Sequence, residues 1–184
     1  MSLIIWLTGL PGSGKSTIAQ ALLRSIGQSR LEYLSLDTIR KEIIPHPEYT
    51  DAERDLVYEA YADRALLIAS SGKDVLLDAT GHKKRYRDRL RAGTIPFIEI
   101  FISCPLAICM EREAARTNNL VISNTYKRAL AGEKKRRDGL GEVIGIDVPY
   151  EENHQADLII DSASLTPELA ARTILKFLET KGFK

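Results

Sequence analysis

Two cysteines, Cys104 and Cys109, are all that this chain of 184 residues contains. They lie too close together for a useful loop-closing disulfide, and no CxxC pair or Cys/His cluster offers a zinc site. Both are expected as buried thiols. A surplus of one charge is also lacking: 26 Lys and Arg face 25 Asp and Glu. That balance gives no global field to concentrate nucleic acid or an anionic membrane, so neither is expected as a partner, and any anion must be met by a local site. No segment reaches the roughly 18 apolar residues of a membrane span. Residues 2–8 are too short for the apolar core of a signal peptide. The expectation is a soluble, cytoplasmic protein, and the length and 44% hydrophobic content suit a single domain over residues 1–184.

Short β-branched and apolar runs mark strands at Leu3 to Thr8, Glu32 to Leu36, Asp74 to Asp78, Phe97 to Ile102 and Asp157 to Asp161. Helical patterns separate them. The first runs from the glycine-rich stretch to Gly27, and a long one follows Thr50, whose spacing to Glu53 is that of a capping box, and ends at Gly72. Others are expected over Lys83 to Ala92, Pro105 to Thr117, Asn124 to Arg137, and Pro167 to Lys181 with Thr166 as N-cap. Strands alternating with helices predict an α/β fold with a parallel five-stranded sheet covered on both faces. The long polar stretch from 112 to 141 reads as a flap, or lid, over the sheet's edge.

The run Gly9-Leu10-Pro11-Gly12-Ser13-Gly14-Lys15-Ser16-Thr17 satisfies G-x-x-x-x-G-K-[ST], and it stands between a predicted strand and a predicted helix. Glycines let successive N–H groups converge, and the following helix adds the positive end of its dipole, which together cradle phosphate. Lys15 is placed to reach the β- and γ-phosphates of ATP, and the Ser16 hydroxyl to ligate Mg2+. Thr17 serves the helix or the α-phosphate. A dinucleotide fingerprint is excluded because the third glycine of G-x-G-x-x-G is missing. Asp78-Ala-Thr-Gly81 matches the D-x-x-G of a GTP switch, but no N-K-x-D reads guanine.

A small-molecule kinase accounts better for the rest. Asp37, at the end of the second strand and followed by Arg40, is the candidate base for an acceptor hydroxyl, with an N-cap role as the alternative. Asp78 is either a water-mediated magnesium carboxylate or a helix cap. Arg112 and Arg116, four residues apart, are candidates to close over the transferring phosphate. His82, Lys83, Lys84 and Arg85, after the third strand, are candidates to attract an anionic substrate, with a cluster of no specific role as the alternative, and Lys134 to Arg137 reads as an exposed face.

Beyond the P-loop, the segments Phe97 to Arg112, Tyr126-Lys127-Arg128-Ala129 with Ala131-Gly132-Glu133, and Gly145-Ile146-Asp147-Val148-Pro149-Tyr150-Glu151 resemble adenylylsulfate kinase across roughly residues 3–161. The resemblance implies sheet order 2-3-1-4-5, a homodimer, and phosphorylation of the 3′-hydroxyl of adenosine 5′-phosphosulfate (APS) by ATP. It implies that Arg40 and Arg54 hold the substrate's phosphosulfate and ribose side, and that Tyr49 stands for a phenylalanine stacking on adenine. Departures concentrate in the acceptor pocket. The family's LDGDNxR reads Leu34-Ser35-Leu36-Asp37-Thr38-Ile39-Arg40 here, so Ser35 replaces an aspartate, Leu36 a glycine and Thr38 an asparagine. Val57 replaces a substrate asparagine, Val143 the second stacking phenylalanine, Ser123 a lysine, and Asp78 to His82 the usual ISP[FY]. Those departures leave two alternatives open: a related P-loop kinase for another small-molecule, nucleoside or polynucleotide hydroxyl, and a nucleotide-binding regulator without transfer.

Overall fold

The computed structural model describes residues 2–26, 31–116, 124–132 and 141–183. Strand β1 (Ile4–Thr8) occupies the centre of a parallel sheet with β2 (Leu31–Ser35), β3 (Asp74–Asp78), β4 (Phe97–Ser103) and β5 (Leu158–Asp161), in the order β2-β3-β1-β4-β5. All five residues of β1 are buried, as a strand covered on both faces requires. Its side chains alternate between two cores. Ile5 and Leu7 join α1 (Lys15–Ile26) and α7 (Pro167–Thr180) on one face. Ile4 and Trp6 join α2 (Leu36–Ile43), α3 (Asp51–Ser70) and α4 (Lys84–Arg91) on the other. Two shorter helices, α5 (Leu106–Ala114) and α6 (Thr125–Leu130), follow β4.

Local signals act where expected. Thr50 Oγ1 accepts from the Glu53 N–H, and Thr166 Oγ1 from the Leu169 N–H, capping α3 and α7. Several ends differ. β2 stops at Ser35, so Asp37 lies in the first turn of α2 rather than at a strand end or an N-cap. α5 ends at Ala114, leaving Arg116 beyond its C-cap. α6 ends at Leu130, followed by Gly132 at φ +71; residues 133–140, with the Lys134 to Arg137 run, and Ser123 lie outside the described residues.

This strand order places a topological switch at β1. The chain leaves β1 for the far edge at β2, returns to β3, then crosses β1 to reach β4. The carboxyl ends of β1, β3 and β4 therefore open one crevice, where such sheets bind ligands.

Candidate active site

The loop after β1 fills that crevice. Gly9, Gly12 and Gly14 take φ values of +140, +85 and +96. Space matters as much as torsion: a Cβ on Gly12 would lie 2.2 Å from the Cys109 carbonyl oxygen, and one on Gly9 2.5 Å from that of Ile102. The loop is clamped against β4 and α5 only because those positions have no side chain. Lys15 caps it, its Nζ donating to the Gly9 and Leu10 carbonyls at 2.9 Å each. Burial lowers the Lys15 pKa to about 8, with nearby Asp78 opposing the shift. A polyphosphate would restore the ammonium.

Two further side chains hold the loop. Ser162 Oγ, arriving from the end of β5, donates to the Ser13 carbonyl at 2.7 Å and accepts from Arg112 Nη1 at 3.3 Å, while Arg112 Nη2 donates to the Ser162 carbonyl at 2.9 Å. Tyr126 of α6, buried, donates to the Pro11 carbonyl at 2.9 Å. The tyrosine of the YKRA segment is thus a brace for the P-loop. The Gly145 to Glu151 segment braces too: Tyr150 stacks on Phe101 with centroids 5.8 Å apart, and the Glu151 N–H donates to the His82 carbonyl at 2.8 Å.

A cavity of about 700 Å³ extends from this loop toward α2 and α3, a size that accepts a small-molecule ligand. Lys15, Ser16 and Thr17 line its loop side, Asp37, Arg40, Tyr49, Arg54 and Asp78 the other, and Arg112 and Arg116 its rim. The candidates drawn from far-apart segments therefore meet around one space. Burial raises the Asp37 carboxyl pKa, and Asp78 nearby adds to it, with Arg40 and Lys15 opposing. Arg40 is buried, its Nε and Nη1 have no hydrogen-bond partner among the described residues, and its guanidinium lies 5.0 Å from the Tyr49 ring centroid. A cation so placed favours an anion in the cavity.

Other candidates are engaged differently from expectation. Arg54 lines the cavity, but both its Nη atoms bond Glu142, one to the carboxylate at 3.3 Å and one to the carbonyl. Val57 is wholly buried among the residues between α3 and the sheet, so its side chain belongs to the core. Val143 does line the cavity. Lys83, Lys84 and Arg85 are neutralised by Asp51, Asp88 and Asp55 at 2.6, 2.6 and 2.5 Å, which removes the attraction a bare cluster would exert. His82 is buried and its pKa falls to about 3, chiefly through desolvation, so it is neutral. Cys109 is buried as expected; Cys104 is only half-buried, because it lies just beyond β4 where the chain turns toward α5.

Residues that sequence reasoning passed over also line the cavity, among them Tyr33, Tyr58 and Glu142. Tyr33 donates to Asp78 Oδ2 at 2.7 Å, and Tyr58 Oη accepts from the Gly81 N–H at 2.8 Å. A tyrosine on the apolar side of a strand, as Tyr33, or of a helix, as Tyr58, reads as core, and nothing local distinguishes these two.

Comparison with known proteins places this geometry. The chain is 34% identical over 178 residues to an adenylyl-sulfate kinase of Rippkaea orientalis, covering 95% of this chain and 84% of the relative. It is 33% identical over 183 residues to a probable bifunctional SAT/APS kinase 2 of Sorangium cellulosum, but spans only 29% of that longer protein. The APS kinase CysC of Mycobacterium tuberculosis, solved in complex with AMPPNP and APS, superposes with a TM-score of 0.80 at 27% identity, covering 97% of this chain and 98% of the other. The family model for adenylylsulphate kinase matches residues 1–161, and with the P-loop, the braces around it and the sheet order in place, the chain belongs to the adenylylsulphate kinase family.

Proposed function

We propose that the chain transfers the γ-phosphoryl group of ATP to the 3′-hydroxyl of APS, giving 3′-phosphoadenosine 5′-phosphosulfate and ADP. The observation that carries this reading is the convergence on one cavity of Lys15, Asp37 and Arg40, whose Nε and Nη1 have no hydrogen-bond partner among the described residues. Loop amides from Gly9 to Thr17 and Lys15 hold the triphosphate. Asp37 accepts the acceptor's hydroxyl proton as its oxygen bonds to the γ-phosphorus and the bond to the ADP oxygen breaks. Arg40 binds the acceptor's anionic group, and Tyr49 packs against its base. Arg112, fixed at the loop by Ser162, faces the phosphates from the rim. The oxygens of Ser16 and Asp78, hard donors lining the same cavity, suit Mg2+. When bound, the ion would neutralise charge on the transferring group. The lid expected over 112–141 falls in part on residues 117–123 and 133–140, outside the described residues; the active species is a homodimer in the cytoplasm.

One observation favours a second reading, a different alcohol as acceptor. Arg54 already carries Glu142, and Val57 is withdrawn into the core, so two of the contacts expected for APS are not presented. The deciding experiment supplies purified protein with MgATP and either APS or a panel of sugar and nucleoside alcohols. ADP release stimulated by APS, with product bearing a new 3′-phosphate, supports the first reading. Indifference to APS with turnover of another alcohol refutes it, and ATP binding without any transfer would leave a regulator.

A further inference from the structure

Two walls of the cavity meet at Glu142. From α3 comes Arg54, whose side chain is 3% exposed, whereas that of Glu142 is 57% exposed. Arg54 Nη2 donates to the Glu142 carbonyl, and Nη1 to its carboxylate at 3.3 Å. The backbone that carries Glu142 is pinned on both sides. Gly141, at φ +56, lies so close to the loop before α3 that a Cβ there would stand 2.4 Å from the Tyr49 Cβ and 2.5 Å from the Glu48 carbonyl oxygen. Val143 is buried with Cys109 and Tyr126 beside the phosphate loop, and its N–H donates to Asp147 Oδ2 at 2.8 Å.

The two acceptors on Arg54 therefore differ in mobility. The carbonyl cannot leave without the pinned segment, while the carboxylate stands on a flexible stem that already reaches water. An ion pair whose acid is largely hydrated is weak, so it yields to an anion that enters the cavity and takes the same Nη1 donor in a charge-assisted bond. Until then the carboxylate cancels one of the two arginines on that wall. Arg40, beside Tyr49, is left as the cation with free donors, its Nε and Nη1 unpaired among the described residues.

We propose that Glu142 is a built-in competitor for the acceptor's anionic group: it occupies Arg54 in the empty site and swings out to solvent when a polyanionic acceptor binds across Arg40 and Arg54. Glu142 is then a specificity-determining residue, setting how strongly the site favours such acceptors over neutral alcohols. The inference rests on the kinase reading above, with Arg54 on the acceptor side, but not on APS being the acceptor.

The test is titration calorimetry on the protein saturated with MgAMPPNP, using pyrophosphate, APS and neutral adenosine as probes. Glutamine keeps the shape of residue 142 and removes its charge. Glu142→Gln is expected to bind pyrophosphate about tenfold more tightly than the parent does, with AMPPNP and adenosine affinities unchanged. The gain should shrink at high salt and vanish in Arg54→Met/Glu142→Gln. Pyrophosphate affinity equal to or below the parent's in Glu142→Gln, an equal gain for adenosine, or a gain that survives loss of Arg54 would each overturn the proposal. APS bound and phosphorylated alike by parent and Glu142→Gln, with no change in affinity, would overturn it while leaving the APS reading intact. The pyrophosphate gain without APS binding to either protein would uphold the competitor and refute APS as the acceptor.

Discussion

Replacing Gly12 by alanine tests the claim that the phosphate loop is shaped by contact as well as by torsion. At φ +85 a side chain costs about 1–2 kcal/mol in backbone conformation alone. The new Cβ would also sit 2.2, 2.9 and 3.1 Å from the carbonyl oxygen, carbonyl carbon and Cα of Cys109, all backbone atoms of α5 that cannot swing aside. Forcing the loop and α5 apart adds roughly 1–3 kcal/mol on the scale of overpacked cores. Gly72 is the control, because at φ +91 its Cβ would meet nothing within 4 Å and only the torsional cost remains. Urea denaturation of Gly12→Ala should therefore show about 2–5 kcal/mol lost against about 1–2 for Gly72→Ala. Each kcal/mol lowers Tm by about 2–4 °C in a chain of this size. Calorimetry should show AMPPNP affinity abolished only in Gly12→Ala. Equal destabilisation of the two variants, with AMPPNP affinity retained in both, would refute the reasoning.

Asp37→Asn should cut kcat by about 10²–10⁴-fold while sparing AMPPNP affinity; parental turnover would remove Asp37 as base. Because burial and Asp78 raise its pKa, activity should climb as pH rises through that raised value and lose this dependence in the variant. Lys15, lowered to about 8, is largely neutral above that pH until a polyphosphate binds. AMPPNP binding should then take up about one proton, read as a dependence of the binding enthalpy on buffer ionisation, and none well below pH 8. By the same linkage the ligand-free fold should gain stability as pH rises from 8 toward the ordinary 10.5, since the unfolded chain holds the proton longer. Arg87, fully buried, pairs with buried Glu99 at 3.3 Å. Arg87→Met should cost at most about 3–5 kcal/mol in urea denaturation, because Glu99 Oε1 loses its cation while Oε2 keeps Arg91 at 3.1 Å, and Arg87→Met/Glu99→Leu markedly less.

The P-loop, the caps at Thr50 and Thr166, and the alternation of strands and helices were legible in the chain because each depends on residues within a few positions of one another. The family motifs were legible as strings, but their task was not: Tyr126 braces Pro11 across 115 positions, and Tyr150 packs on Phe101. Asp37, Arg40, Tyr49 and Arg54 could be named as site residues from pattern, yet only packing shows that Arg40 Nε and Nη1 find no hydrogen bond among the described residues while Arg54 holds Glu142, 88 residues away. The basic run at Lys83 looked available until α3 supplied its carboxylates. Local sequence by itself determined the anion nest and the element types, since torsion, capping and periodicity are short-range properties. Tertiary structure decided which charges stay free, and it set Asp78 opposite Ser35, because register and desolvation arise only when distant segments are brought side by side.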